Sequence, residues 1–130
     1  MTIQEKAVEY HKSGFNCAQS VLCACGEYTG LDEKTALAIS AGFGGGLRCG
    51  EVCGAVSGMV MAVGAAYPFT DAADAQAKEK IAALAKTICG EFMEKYGCLR
   101  CEELKGDGKR CNEYIAACAA IAERIINEKE

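Results

Sequence analysis

Apolar residues recur at three- and four-residue spacing from one end of the sequence to the other, and period-two alternation is nowhere sustained. That pattern confines the chain to helices burying one face against one another. Glycines and the single proline, Pro68, punctuate the runs. Thr2 with Glu5 makes a capping-box pattern ahead of Ile3, Ala7, Val8 and Tyr10, and Gly14 closes a first helix over roughly residues 3 to 12. Asn16 caps a second helix carrying Cys17, Val21, Leu22 and Cys25 and ending near Tyr28, before Gly30. Asp32 caps a third, LDEKTALAISAGF, broken by the glycine loop at Gly42–Gly46. A fourth is expected from about Arg48 to Ala66, ahead of Pro68. Thr70 or Asp71 opens the longest, with Ile81, Leu84, Ala85, Ile88, Phe92 and Met93 on one face and Gly97 at its end. The last covers roughly 110 to 127, its face drawn from Tyr114, Ile115, Cys118, Ile121, Ala122 and Ile125. The expectation is an all-α, single-domain helical bundle of about five or six helices, with residues 1–130 forming one cysteine-rich domain.

Charge and composition narrow the function classes. The net charge of −4 comes with no basic stripe, which argues against a nucleic-acid reader. No run of 18 apolar residues is present to span a membrane, and MTIQEKAVEY lacks the pattern of a secretory signal, so a cytoplasmic location is expected. Ten cysteines are the outlier. Secreted disulfide scaffolds are small and loop-rich, whereas this alanine- and aliphatic-rich chain can build a core without staples. In a reducing compartment the same cysteines point to metal binding, redox chemistry or buried thiols.

The segment GEVCGAVSG, residues 50–58, concentrates the question. Read as helix, Cys49 and Cys53 lie one turn apart on one face, beside a strip formed by Gly50, Gly54 and Gly58. Each glycine costs about 1 kcal/mol against alanine in a helix interior, so something must approach that backbone closely, either a packed helix or a cofactor. Gly54 and Gly58 are thereby candidate cofactor-binding positions. The Gly42–Gly46 loop lacks the Gly-Lys-Ser/Thr ending and the preceding strand of a phosphate cradle.

Cys53-Gly54-Ala55-Val56-Ser57-Gly58 matches a CGAxxG motif, and with the GFGGG loop before it the chain resembles the C-GCAxxG-C-C family, described as redox-active. Asn16-Cys17-Ala18-Gln19-Ser20-Val21-Leu22 is similar to that family's first cysteine segment, and Tyr96-Gly97-Cys98-Leu99-Arg100-Cys101-Glu102-Glu103-Leu104 to its third. The resemblance covers most of the chain and implies Cys17, Cys53, Cys101 and Cys111 as a shared thiol set. It implies a redox theme and no particular reaction. Cys23, Cys25, Cys49, Cys89, Cys98 and Cys118 lie outside that set, and whether Cys49 and Cys98 join the site stays open.

The implied set is chemically coherent. Cys17 follows an N-cap and Cys111 stands at the start of the last helix, where unpaired N–H groups and the dipole favour thiolate, the form that binds metal. Four thiolates from four segments suit an iron–sulfur cluster or a tetrahedral zinc. Cys98-Leu99-Arg100-Cys101 is a CxxC, but a thioredoxin-like dithiol needs strands, and no CxxC here precedes His, which excludes covalent c-type haem. The only histidine, His11, is expected on the polar side of the first helix. Cys23, Cys25, Cys89 and Cys118 fall on apolar faces, where free cysteine packs as a small hydrophobe. Three functions remain: a thiolate-ligated centre, an iron–sulfur cluster, in electron transfer or redox sensing with a redox partner protein; a zinc or soft-metal protein serving structure or metal transfer; and a thiol–disulfide oxidoreductase cycling Cys49 with Cys53 or Cys98 with Cys101. Hydrolysis is disfavoured, since no His stands near a nucleophile; enzyme status, electron partner and oligomeric state are not encoded legibly.

Overall fold

The computed structural model describes residues 1–104 and 110–128. Among them the elements are helices α1 (Ile3–Lys12), α2 (Cys17–Ala24), α3 (Gly26–Thr29), α4 (Glu33–Ser40), α5 (Gly54–Ala66), α6 (Ala75–Tyr96), α7 (Cys101–Leu104) and α8 (Cys111–Asn127), with a 3₁₀ turn at Ala41–Phe43. The chain is all-α. One isolated antiparallel bridge, Val52 to Arg100, is the extended pairing among the described residues.

Cap chemistry places the helix starts. Thr2 closes a reciprocal box with Glu5 at α1, and Asn16 does the same with Gln19 at α2. Asp32 caps α4 through the Thr35 N–H. The helix expected to run from Cys17 to near Tyr28 is divided instead, because Cys25 leaves helical geometry between α2 and α3. The longest helix begins at Ala75, capped by the Asp74 carboxylate on the Ala77 N–H, and not at Thr70 or Asp71.

The largest correction falls on residues 46–53. They are not the first turns of a helix: Gly45, Gly46, Leu47 and Arg48 all have φ between 61° and 64°, forming a left-handed turn that ends at Gly50. Glu51 and Val52 then run out to the bridge, and α5 begins at Gly54. Cys49 and Cys53 therefore do not share a helix face, Gly50 is not part of a helical strip, and Cys53 is the buried N-cap of α5.

The core lies where α2, α5 and α8 meet, with α1 laid across α2 and α8. Val21, Leu22, Val56, Met59, Val63, Ile115 and Ala119 are fully or almost fully buried there. On α6 only Ile88 and Phe92 are buried, whereas Met93, placed on the apolar face by spacing, is 45% exposed. Spacing marks which face of a helix is apolar, and the neighbours decide how much of it is covered.

Candidate thiol site

Cys17, Cys53, Cys101 and Cys111 line one small cavity of about 20 Å³, completed by Ala55, Leu104 and Tyr114. Each cysteine arrives from a different element: the first residues of α2, α7 and α8, and the N-cap of α5. Local chemistry explains why they meet. The antiparallel bridge ties two of the segments together, with the Cys53 N–H donating to Leu99 O at 2.7 Å and the Cys101 N–H to Glu51 O at 2.6 Å. Arg100 spans the outer side of this clasp, 3.4 Å from Glu51 and 3.2 Å from Glu102.

The glycines are fitted to the same assembly. A Cβ at Gly54 would collide with Cys17 Sγ and lie 3.0 Å from Phe43 O. A Cβ at Gly58 would stand 2.7 Å from Ala18 O and 3.1 Å from Val21 Cβ. Gly54 thus makes the space in which the Cys17 thiol sits, and Gly58 lets the backbone of α2 close on α5. Gly46 is needed twice over: its φ is +64°, and a Cβ there would lie 2.8 Å from Cys101 Cβ and 2.6 Å from Glu51 N. The glycine loop is a seat for the cysteine segments.

Burial dominates the acidity of the site. It pushes the Cys53 thiol up to about 12, reinforced by Cys17 and Cys101 beside it and opposed by the N–H groups of Ala55 and Val56 at the start of α5. The helix terminus does face the sulfur, but desolvation wins. Cys118, fully buried one layer deeper, is pushed well up by burial and by the neighbouring Cys53, Cys89 and Cys17. It packs in the core with Cys23 and Cys25, while Cys89 is partly buried against it.

The remaining candidates lie elsewhere. Cys49 is exposed, its Sγ 3.6 Å from Gly46 O, and neither it nor Cys98 lines the cavity. His11 Nδ1 lies 2.7 Å from Asn112 Oδ1, and His11 does not line the cavity. Tyr114 was legible only as a core residue. It lines the cavity and donates from Oη to Leu104 O at 2.7 Å, which ties α7, carrying Cys101, to α8, carrying Cys111. Its position three residues after Cys111, hence on the same helix face, is the signal that could have found it.

As a donor set, four thiols in a wall whose other described residues are apolar or aromatic suit a soft ion or an iron–sulfur cluster. Among the described residues no three His, Cys, Asp or Glu side chains stand at metal-holding spacing. Ligation therefore requires the cavity sulfurs to draw closer together than they stand here.

The profile of the family described as "Putative redox-active protein (C_GCAxxG_C_C)" matches residues 15–125, a span containing all four cavity cysteines. The chain belongs to this family. No curated protein and no solved structure matches it. Among the described residues, no helix of this C-GCAxxG-C-C protein is long and apolar enough to cross a membrane.

Proposed function

We propose that this family member is a redox protein whose Cys17, Cys53, Cys101 and Cys111 hold a thiolate-ligated iron centre, used for electron transfer or redox sensing with a partner protein in a reducing compartment such as the cytoplasm. The observation that carries this reading is the cavity wall: four cysteines from four elements, with no histidine, lysine or carboxylate among its described lining residues. Iron is favoured over zinc because zinc has no redox chemistry of its own, whereas the family is described as redox-active. An iron–sulfur cluster or a single iron bound there would supply one-electron chemistry. The protein's part is to present and shield the thiols. Gly54 accommodates the Cys17 sulfur, the Val52–Arg100 bridge positions Cys53 and Cys101, and Tyr114 ties Cys101's helix to that of Cys111. Ala55, Leu104 and Tyr114 supply the apolar part of the wall, with Cys53 buried and the other three cysteines partly so.

A second reading, thiol–disulfide exchange among the same cysteines, is favoured by the small cavity and by the absence of three donors at metal-holding spacing among the described residues. Metal and sulfide analysis with an absorption spectrum, on protein purified anaerobically, separates the two. The iron reading expects bound iron and sulfur-to-iron absorption in the visible, both lost in Cys53→Ser. Acid-labile sulfide in proportion to iron identifies a cluster, and iron without sulfide a single ion. Stoichiometric zinc in place of iron assigns the structural alternative. Metal-free protein that loses two titratable thiols per oxidation step assigns disulfide exchange.

A further inference from the structure

A second cavity, of about 610 Å³, opens between α1, the last turn of α2, α3 and α4. Its size falls within the roughly 300–1,000 Å³ typical of small-molecule sites. The floor is apolar: Cys23, Ala24 and Ala36 are buried beneath it, with Leu31 at the side. Tyr10 and Phe15 contribute one aromatic wall, their rings 5.9 Å apart and tilted by 60°.

Charge is distributed unevenly around this apolar body. The side chains of Glu9, Glu27 and Glu33, three carboxylates, and of Lys6, an ammonium, line the cleft together with Met1. Lys6 Nζ is engaged with Glu27 Oε1 at 3.0 Å. Glu33 accepts a single hydrogen bond from Tyr10 Oη, also at 3.0 Å, and a carboxylate can accept several more. Among the described residues Glu9 has no ion-pair partner. Among the described residues two carboxylates thus have no ion-pair partner at the rim of an aromatic and aliphatic cleft. Burial and the Glu33 carboxylate push the Tyr10 phenol up to about 12, so it stays a neutral donor and adds no charge of its own.

We infer that this cleft binds a small organic cation, an ammonium group on an apolar body, with the ammonium between Glu9 and Glu33 and the body against Tyr10, Phe15 and Leu31. Carboxylates supply charge-assisted hydrogen bonds to the ammonium, and the aromatic and aliphatic wall takes the apolar body out of water. An anion of the same shape meets the two carboxylates and is rejected. The site is separate from the thiol cavity, with which it shares no described lining residue.

The test is a titration of the isotope-labelled full chain, kept reduced, with 2-phenylethylammonium, followed by amide chemical shifts. 3-Phenylpropionate and 2-phenylethanol serve as the anionic and neutral controls. The expected result is saturable shifts at Tyr10, Phe15, Leu31 and Ala36 with the ammonium, and tighter binding than of either control. Glu33→Gln should weaken binding about tenfold, the size expected for a hydrogen bond to a charged group. Tyr10→Phe, which leaves the Glu33 carboxylate in place, should retain it. The inference is overturned by the absence of saturable shifts at those residues, by equal binding of the propionate, or by unchanged affinity in both Glu9→Gln and Glu33→Gln.

Discussion

At Gly54 two effects of opposite sign meet. Alanine would improve helix propensity by up to about 1 kcal/mol, yet its methyl would fall on Cys17 Sγ and press on Phe43 O. At Gly58 the obstacle is stiffer, because the nearest atom is the backbone oxygen of Ala18. Overpacking of this kind costs about 1–3 kcal/mol and should win at both positions. Gly64 in α5 and Gly90 in α6 have nothing within 4 Å of a built Cβ, so only the propensity gain acts there. Urea denaturation should therefore show Gly54→Ala and Gly58→Ala destabilised, and Gly64→Ala and Gly90→Ala stabilised by about 0.5–1 kcal/mol. Four changes of identical chemistry would divide by sign according to what each methyl meets. Equal responses at all four would contradict the close approach of α2 to α5.

Among the elements, the left-handed turn at residues 45–48 is the one that local preference opposes. Leu47 and Arg48 sit at φ 61° and 62°, a conformation that costs an L-residue about 1–2 kcal/mol, and Leu47 does not recover that cost by burial, being 49% exposed. Leu47→Gly should raise stability by about 1 kcal/mol, less what the freer unfolded chain loses. A chevron analysis or equilibrium denaturation reads the change, and a fall in stability would mean that the leucine side chain contributes more than its exposure implies. The same turn explains which helices could be read in advance. The starts of α1, α2 and α4 were legible because a capping residue stands ahead of each, Thr2, Asn16 and Asp32. Residues 46–53 were not, since cysteines and glycines at four-residue intervals imitate helix spacing, and nothing in the letters Leu47-Arg48 signals positive φ. The four cysteines were legible as a set through their motifs, but the cavity's dependence on Tyr114 and on the clasp between residues 51–53 and 99–101 belongs to tertiary structure.

Taken whole, the molecule keeps thiols in its interior, and that makes its stability depend on alkali. Burial pushes Cys25 up to about 12 and Cys23 up to about 11, and Cys118 well above its ordinary value. In each case the folded state holds its proton more tightly than the unfolded chain, whose thiols titrate near 8.5. The stabilisation is thus complete below about pH 8.5 and is lost as pH rises through the folded values, at up to about 1.4 kcal/mol per pH unit for each thiol. Urea midpoints of reduced protein should hold steady from pH 6 to 8 and fall steeply by pH 10.5, with a shallower fall in Cys25→Ala. A midpoint indifferent to pH across that range would mean that these thiols are already solvated.

The clasp between residues 51–53 and 99–101 closes a loop containing α5 and α6. Its two backbone hydrogen bonds contribute about 1 kcal/mol each, less than the roughly 3 kcal/mol of entropy that joining such distant segments costs, so packing of α5 on the bundle must hold it shut. A bond made through both Cys53 and Cys101 would change that balance. Whether metal or disulfide, it would be a covalent cross-link over roughly 50 residues, and loops of that size give about 4 kcal/mol by constraining the unfolded chain. On that account the occupancy of the thiol cavity would set the protein's lifetime as well as its chemistry, with the emptied form the one more readily unfolded and degraded.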